Sequence, residues 1–152
     1  MSPSSELAAA ARDLLESGSS GIISTHSIKH DGYTYTSVLP YILASDCKPL
    51  FFISSLATHT RNLKANSKAS FLVAPESDNP QATGRVTLLG DVEPVPDDEV
   101  SSAKSIYLAA HPEAEQWDSF GDFAMYEMQC VDVYIVAGFG AMGWIKPDEL
   151  KH

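Results

Sequence analysis

The segment that decides the interpretation of this chain lies at residues 50–63 and reads LFFISSLATHTRNL. Its apolar beginning predicts a strand, and the polar residues that follow predict the start of a helix. Unpaired N–H groups at a helix N-terminus carry partial positive charge, and Arg61 adds a guanidinium that matches phosphate oxygens. The pattern predicts a site for a phosphorylated small molecule. The alternative is a solvated helix that Ser54 and Ser55 merely cap.

The charge around this segment supports an anion site. Residues 47–75 contain no Asp or Glu, although the chain has 20 acids against 10 Lys and Arg. The net charge of −10 argues against nucleic acid and anionic membrane surfaces as partners, because both would be repelled. A small-molecule ligand is therefore the expected partner.

The composition fits one globular domain over residues 1–152, with 44% hydrophobic residues. Cys47 and Cys130 form neither a disulfide framework nor a metal-ligand spacing, and the five histidines show no paired-ligand spacing. We expect no metal site. The N-terminus has no basic region before an apolar one, and no apolar run reaches the length of a membrane span. These features predict a cytoplasmic protein.

The strand pattern predicts an antiparallel barrel. Tyr33 to Leu43 alternates with period two, follows the turn signal Asp31-Gly32, and must break at Pro40. We count six or seven strands with hairpin connections, including one bulged at Gly90 and two separate strands at Phe123–Gln129 and Val131–Ala137. Such spacing favours a barrel with peripheral helices over a βαβ fold.

The sequence GFGAMG at residues 138–143 matches the dinucleotide-binding pattern G-x-G-x-x-G. That site needs a full helix after the glycines, and Pro147 interrupts the nine residues that follow. We therefore interpret the glycines as a bend near the end of the barrel. His111, which precedes Pro112, is predicted to end a helix.

Three segments together carry a family resemblance: YTSVLPY at 35–41, ISSLATHTRNL at 53–63, and GFG at 138–140 with Trp144. The chain resembles the pyridoxamine 5′-phosphate oxidase-like FMN-binding split barrels, and within them the branch of haem-utilisation HugZ-type proteins. The resemblance implies a mainly β, α+β fold, a six-stranded antiparallel split barrel with peripheral helices. It also implies a homodimer with FMN in the grooves between the two subunits.

The resemblance implies two groups of FMN-binding residues and no identifiable catalytic residue. The phosphate would be held by residues of the 53–63 segment: Ser54, Ser55, His59, Arg61 and Asn62. The flavin ring and ribityl chain would lie along the backbone of Ser37, Val38, Leu39 and Pro40.

Three functional hypotheses remain open. The first is an FMN-dependent oxidoreductase of unknown substrate, since flavin carries its own redox chemistry. Pyridoxamine phosphate oxidation itself is not expected, because the chain lacks the Arg-Pro and Trp-containing C-terminal segment of the true oxidases. The second is haem binding or degradation, with His111 or His152 reaching the iron. The third is a non-enzymatic flavin-binding interaction module.

Overall fold

The computed structural model describes residues 3–138 and 140–151, which form four helices and eight strands. The helices are α1 (Pro3–Ser17), α2 (Thr58–Ala65), α3 (Val100–Ala110) and α4 (Glu115–Asp118). The strands are β1 (Ser20–His26), β2 (Thr34–Pro40), β3 (Ile42–Leu43), β4 (Pro49–Ser54), β5 (Lys68–Val73), β6 (Arg85–Pro94), β7 (Phe123–Gly138) and β8 (Ala141–Ile145). Short 3₁₀ turns lie at Asp97–Glu99, Pro112–Ala114 and Pro147–Leu150.

All strand pairs are antiparallel and belong to one sheet, in the order β2-β1-β5-β6-β7-β4-β3, with β8 paired to β7. Only Tyr41 separates β2 from β3, so the chain joins the two ends of this order directly. The sheet must therefore curl back on itself. The Tyr41 hydroxyl donates a hydrogen bond to the carbonyl of Leu15 at 2.6 Å, which ties this joint to α1.

The expected count of six strands differs from the eight observed in the described residues. One addition is β3, which the chain forms after the predicted break at Pro40, and another is β8, which folds back on β7. The two strands predicted between Phe123 and Ala137 are a single strand, β7. Pairing continues through it because the register shift opposite Gly90 leaves only Val131 without a partner.

The predicted bulge at Gly90 is confirmed by that register shift. Gly90 is required there for steric reasons, since an added Cβ would collide with the backbone carbonyl oxygen of Gln129. The bend increases the local twist of the sheet, which helps β6 and β7 follow the wall of a barrel.

Two apolar clusters hold the fold together. The barrel interior contains Phe51 and Phe71, whose rings meet edge-to-face at 5.1 Å, and α1 packs against it through Ala11 and Leu15. The second cluster lies under α3, where Tyr107 contacts Phe52. Helix α2 packs against β1 and β2, and this contact positions the site described below. Among the helices of the described residues, none is long and apolar enough to cross a membrane.

Candidate cofactor site

The start of α2 has no side-chain cap. Its N-cap residue is Ala57, and the hydroxyl of Ser54 accepts a hydrogen bond from the N–H of Leu56 instead, at 3.1 Å. The alternative in which the two serines cap the helix is therefore wrong. The first N–H groups of α2 point outward with their partial positive charge uncompensated by a capping side chain.

Arg61 lies one turn into α2 and is exposed. Within the described ranges its guanidinium has neither an acidic partner nor a hydrogen bond. Ser55 likewise keeps its hydroxyl free of any partner in that part of the chain. An uncapped helix start, a free guanidinium and a free hydroxyl together form a donor set for an anion.

Asn62 fixes the position of this donor set. It is only 2% exposed; its Oδ1 accepts from the N–H of Ile28 at 3.1 Å, and its Nδ2 donates to Thr25 Oγ1 at 3.0 Å. Thr25 in turn donates to the carbonyl of Tyr35 at 3.3 Å. These bonds tie α2 to the β1–β2 hairpin. The predicted direct contact of Asn62 with phosphate stays a prediction, and its observed contacts give it a positioning role.

The Ser54 hydroxyl is already hydrogen-bonded to Asp122, an acid that the sequence did not associate with this site. The hydroxyl donates to Asp122 Oδ2 at 2.7 Å, and the N–H of Ser55 donates to the Asp122 carbonyl at 2.8 Å. A hydroxyl has one proton to donate, so Ser54 can donate to a ligand only if it releases Asp122. The only local signal for this loop was Gly121, whose φ of +80° marks a tight turn.

Three buried polar atoms in the described residues have no hydrogen-bond partner: Ser37 Oγ, His59 Nε2 and Thr60 Oγ1. Buried polar atoms are normally paired, so each requires an explanation. Ser37 lies on β2 and the other two lie on α2, the elements predicted to hold the cofactor. Burial lowers the pKa of His59, which therefore carries a neutral imidazole at neutral pH. These unsatisfied atoms fit a site that a ligand completes.

Strand β2 packs against α2 and carries exposed side chains. It is the first strand in the sheet order and pairs only with β1, so its other edge has backbone groups without a ladder partner. Val38 is 70% exposed and lies opposite the exposed Ile22 of β1. Leu39 is 6% exposed in the core, so only its backbone can reach a ligand, while Pro40 is exposed. This surface suits a planar ring. We call it, with the start of α2, the α2–β2 site.

The remaining predicted features do not join this site. His111 Nε2 lies 2.7 Å from the carbonyl oxygen of Tyr41, and its Nδ1 lies 3.5 Å from Glu113 Oε1. The carbonyl can only accept, so Nε2 carries a proton and is committed to Tyr41, while Nδ1 lies beside a carboxylate on a ring that is only 8% exposed. His152 lies outside the described residues. No group of three or more His, Cys, Asp or Glu in the described chain is arranged to hold a metal ion.

The predicted bend is seen where β7 ends at Gly138 and Gly140 leads into β8, whereas Gly143 lies within β8. Gly138 and Gly140 have φ of +139° and +78°, and Phe139 lies outside the described residues. Strand β8 follows this turn, so the segment lacks the helix that a dinucleotide-binding motif requires.

A curled antiparallel sheet with helices packed on it is the architecture of the split-barrel class of folds. Comparison with protein families places the chain within that class: residues 2–152 match the model of the family described as CREG, β-barrel, and the chain belongs to this family.

Individual relatives agree with this assignment. The chain is 38% identical over 128 residues to the non-canonical heme oxygenase HOZ, chloroplastic, of Arabidopsis thaliana, covering 84% of this chain and 39% of HOZ. It superposes on a heme binding protein from Mycobacterium smegmatis with a TM-score of 0.85 and 28% identity, over 97% of this chain and 59% of the other. The chain therefore spans well under two thirds of the length of both relatives.

A third similarity concerns the fold alone. A protein of the pyridoxinephosphate oxidase family from Clostridium acetobutylicum superposes with a TM-score of 0.72 at 16% identity, over 96% of this chain and 98% of the other. The resemblance identified in the sequence is thereby confirmed: the chain is a split barrel of the pyridoxamine 5′-phosphate oxidase type with haem-binding relatives.

Proposed function

We propose that this chain binds a planar, redox-active cofactor with acidic groups at the α2–β2 site, and that the cofactor is haem. The observation that carries the proposal is the uncapped start of α2 with the unpartnered Arg61 beside it. Each charge-assisted hydrogen bond to an acidic group contributes about 1.5–3 kcal/mol. The exposed apolar surface of Val38 and Ile22 would support the ring.

The relatives favour haem over other planar ligands. HOZ is a heme oxygenase and the M. smegmatis protein binds heme, and both are related to this chain along most of its length. The two propionate groups of haem are single-charged carboxylates, which suit the guanidinium of Arg61 and the N–H groups of α2. When bound, haem supplies a redox-active iron. The chain binds and orients it and limits access of water.

A homodimer with the cofactor between subunits is part of the proposal. The side chains of Val38 and Ile22, which lie opposite each other on one face of the β1–β2 pair, are substantially exposed on one protomer. A ring laid on this surface would have one face in water unless a second subunit covers it. Burial of that face would strengthen the electrostatic contacts of Arg61.

FMN is the second candidate, and the protein would then be an FMN-dependent oxidoreductase. The specific observation in its favour is a set of donors that suit a phosphate within one short segment: the α2 N–H groups, Arg61 and the Ser55 hydroxyl, which has no partner in the described chain. The unpaired Ser37 Oγ lies on the strand along which the flavin would run. Ser54, bound to Asp122, weighs against a complete phosphate site.

Absorption titrations of the purified protein separate these candidates. Adding haemin should produce a sharpened, shifted Soret band that saturates at one equivalent per subunit, whereas FMN should give a weaker or absent change. A flavin spectrum that shifts and saturates without any Soret change would favour the second candidate. If neither ligand gives a saturable change, the cofactor proposal is wrong and a non-enzymatic interaction module becomes the better interpretation.

A further inference from the structure

Asp122 lies in the turn that leads into β7 and is held firmly against the start of the α2–β2 site. Its carboxylate accepts from the Ser54 hydroxyl at 2.7 Å and its carbonyl accepts from the N–H of Ser55 at 2.8 Å. The next residue, Phe123, pairs with Ser54 in the β4–β7 ladder. Two hydrogen bonds and the adjoining ladder thus fix the carboxylate at this position.

This placement brings a negative charge into a region that the sequence leaves free of acids. Residues 47–75 contain no Asp or Glu, and Asp122 reaches them from a segment more than forty residues further along the chain. Within the residues that the structure describes, no Lys or Arg forms an ion pair with Asp122. Its charge is therefore uncompensated where an anionic ligand would bind.

We propose that Asp122 determines the anion selectivity of the α2–β2 site, disfavouring a phosphate dianion relative to a singly charged carboxylate. The inference rests on the proposed function, since it names the class of acidic group that the same site accepts. An anion oxygen that took the Ser54 proton from Asp122 would lie within roughly 5.4 Å of Asp122 Oδ2, the sum of the two hydrogen-bond lengths to Ser54 Oγ. A phosphate monoester carries about −1.5 to −2 at neutral pH, against −1 for a carboxylate.

The extra charge sets the size of the effect. At roughly 5.4 Å, one additional unit of negative charge weakens binding by about fourfold in a water-like dielectric and by about 200-fold at an effective dielectric of 20. The site is open to solvent, so we expect a weakening near the fourfold end of this range. Asp122 also holds the Ser54 proton, which removes one donor from any phosphate. It acts on the ligand through this charge and through Ser54, as a positioning residue.

The test compares FMN with riboflavin, which has the same ring and no phosphate. Asp122→Asn keeps an oxygen that can accept from Ser54 and removes only the charge. Titrations should show FMN binding at least fourfold tighter in this variant, and riboflavin binding within twofold of the original. The matched control is Asp46→Asn, which changes the net charge equally. Asp46 precedes β4, whereas Ser54 ends it, so the control lies at the opposite end of that strand.

The outcomes are distinct. An FMN affinity that is unchanged or lower in folded Asp122→Asn overturns the inference, as does an equal gain for riboflavin or for Asp46→Asn. If FMN binds neither the original protein nor the variant, the inference is also overturned. Should Asp122→Asn fail to fold by circular dichroism, Asp122→Ser removes the same charge with a smaller side chain and carries the same expectation.

A parallel titration with haemin keeps this result separate from the proposed function. Haemin binding should change less than FMN binding in Asp122→Asn, because each propionate carries one charge. If haemin does not bind the original protein while FMN gains affinity in the variant, the haem proposal fails and the selectivity role of Asp122 stands. If haemin binds the original protein and the FMN affinity is unchanged in Asp122→Asn, the haem proposal stands and Asp122 has no role in selectivity.

Discussion

Replacement of Arg61 by Ala is the perturbation with the clearest expected effect on ligand binding. The guanidinium is exposed at the start of α2 and has no partner in the described chain, so it is available to an acidic ligand. A lost charge-assisted hydrogen bond costs about 1.5–3 kcal/mol, which corresponds to a dissociation constant about 10- to 150-fold higher. The folded state should be unaffected, because the guanidinium has no hydrogen bond or ion pair in the described chain and Ala favours a helix.

The assay is an absorption titration with haemin and, separately, with FMN, at constant ionic strength. Lys64→Ala is the matched control. It removes a cation from the same helix, but Lys64 lies in the last turn, far from the N–H groups at the start. Its effect on the dissociation constant should stay within about threefold, which corresponds to about 0.7 kcal/mol of long-range electrostatic attraction. Thermal unfolding of both variants should match that of the original protein.

Two results would refute the reasoning. If Arg61→Ala binds both ligands as tightly as the original protein, the α2 start is not the anion site. If Lys64→Ala loses as much affinity as Arg61→Ala, the attraction comes from overall charge and the local geometry is irrelevant.

Three further predictions concern stability. Asn62→Ala should lower the free energy of unfolding by about 2–3 kcal/mol in urea denaturation, because it removes two hydrogen bonds that tie α2 to the β1–β2 hairpin; an unchanged midpoint would contradict this role. His59 has a folded-state pKa below its ordinary value of 6.5, so the unfolded state takes up a proton first and stability should fall as the pH drops below about 6.5. In His59→Gln, the urea midpoint should depend less on pH between about pH 7.5 and 5 than in the original protein. An unchanged pH dependence would contradict the lowered pKa of His59. Gly90→Ala should destabilise by about 3 kcal/mol or more, because its Cβ meets backbone, whereas Gly143→Ala, with Leu7 at 3.5 Å, should be tolerated; equal thermal shifts would contradict the packing.

The parts of the fold that depend on local sequence could be predicted. The apolar run before Ser54 and the polar start of α2 lie within a few residues of each other, so the strand-to-helix transition was readable. Pro40 cannot donate to a ladder, which made the break between β2 and β3 predictable. Gly90 marked its bulge in the same way. Each of these residues constrains the conformation of the backbone at its own position.

The number of strands and the continuity of β7 depend on pairing between segments that are distant in sequence. A sequence pattern cannot show that β6 absorbs a register shift opposite Cys130, which lets β7 continue through Val131 as one strand. Strand β8 was likewise hidden, because its pairing with β7 lies in tertiary contacts. Register and continuity are set by the partner strand.

The site shows the same division between local and distant information. Arg61 and the start of α2 were identified from one segment, because a helix start and a nearby cation are adjacent in sequence. The Ser54–Asp122 bond joins residues 68 positions apart, and Asn62 reaches Ile28 and Thr25 across gaps of 34 and 37 positions. The sequence therefore indicated an anion site but could not reveal its internal acid. That acid bears directly on whether phosphate or carboxylate is preferred.

The most direct test of the α2–β2 site is to map the bound ligand by two-dimensional ¹H–¹⁵N NMR. Ferric haem broadens the amide signals of nearby residues, and FMN shifts them. We expect haemin to affect first the amides of residues 37–39 on β2 and of residues 55–61 at and before the start of α2, since Pro40 has no N–H and gives no signal. Perturbation confined to the groove that Ala44 and Ser102 of α3 line together would contradict the site and with it the proposed function.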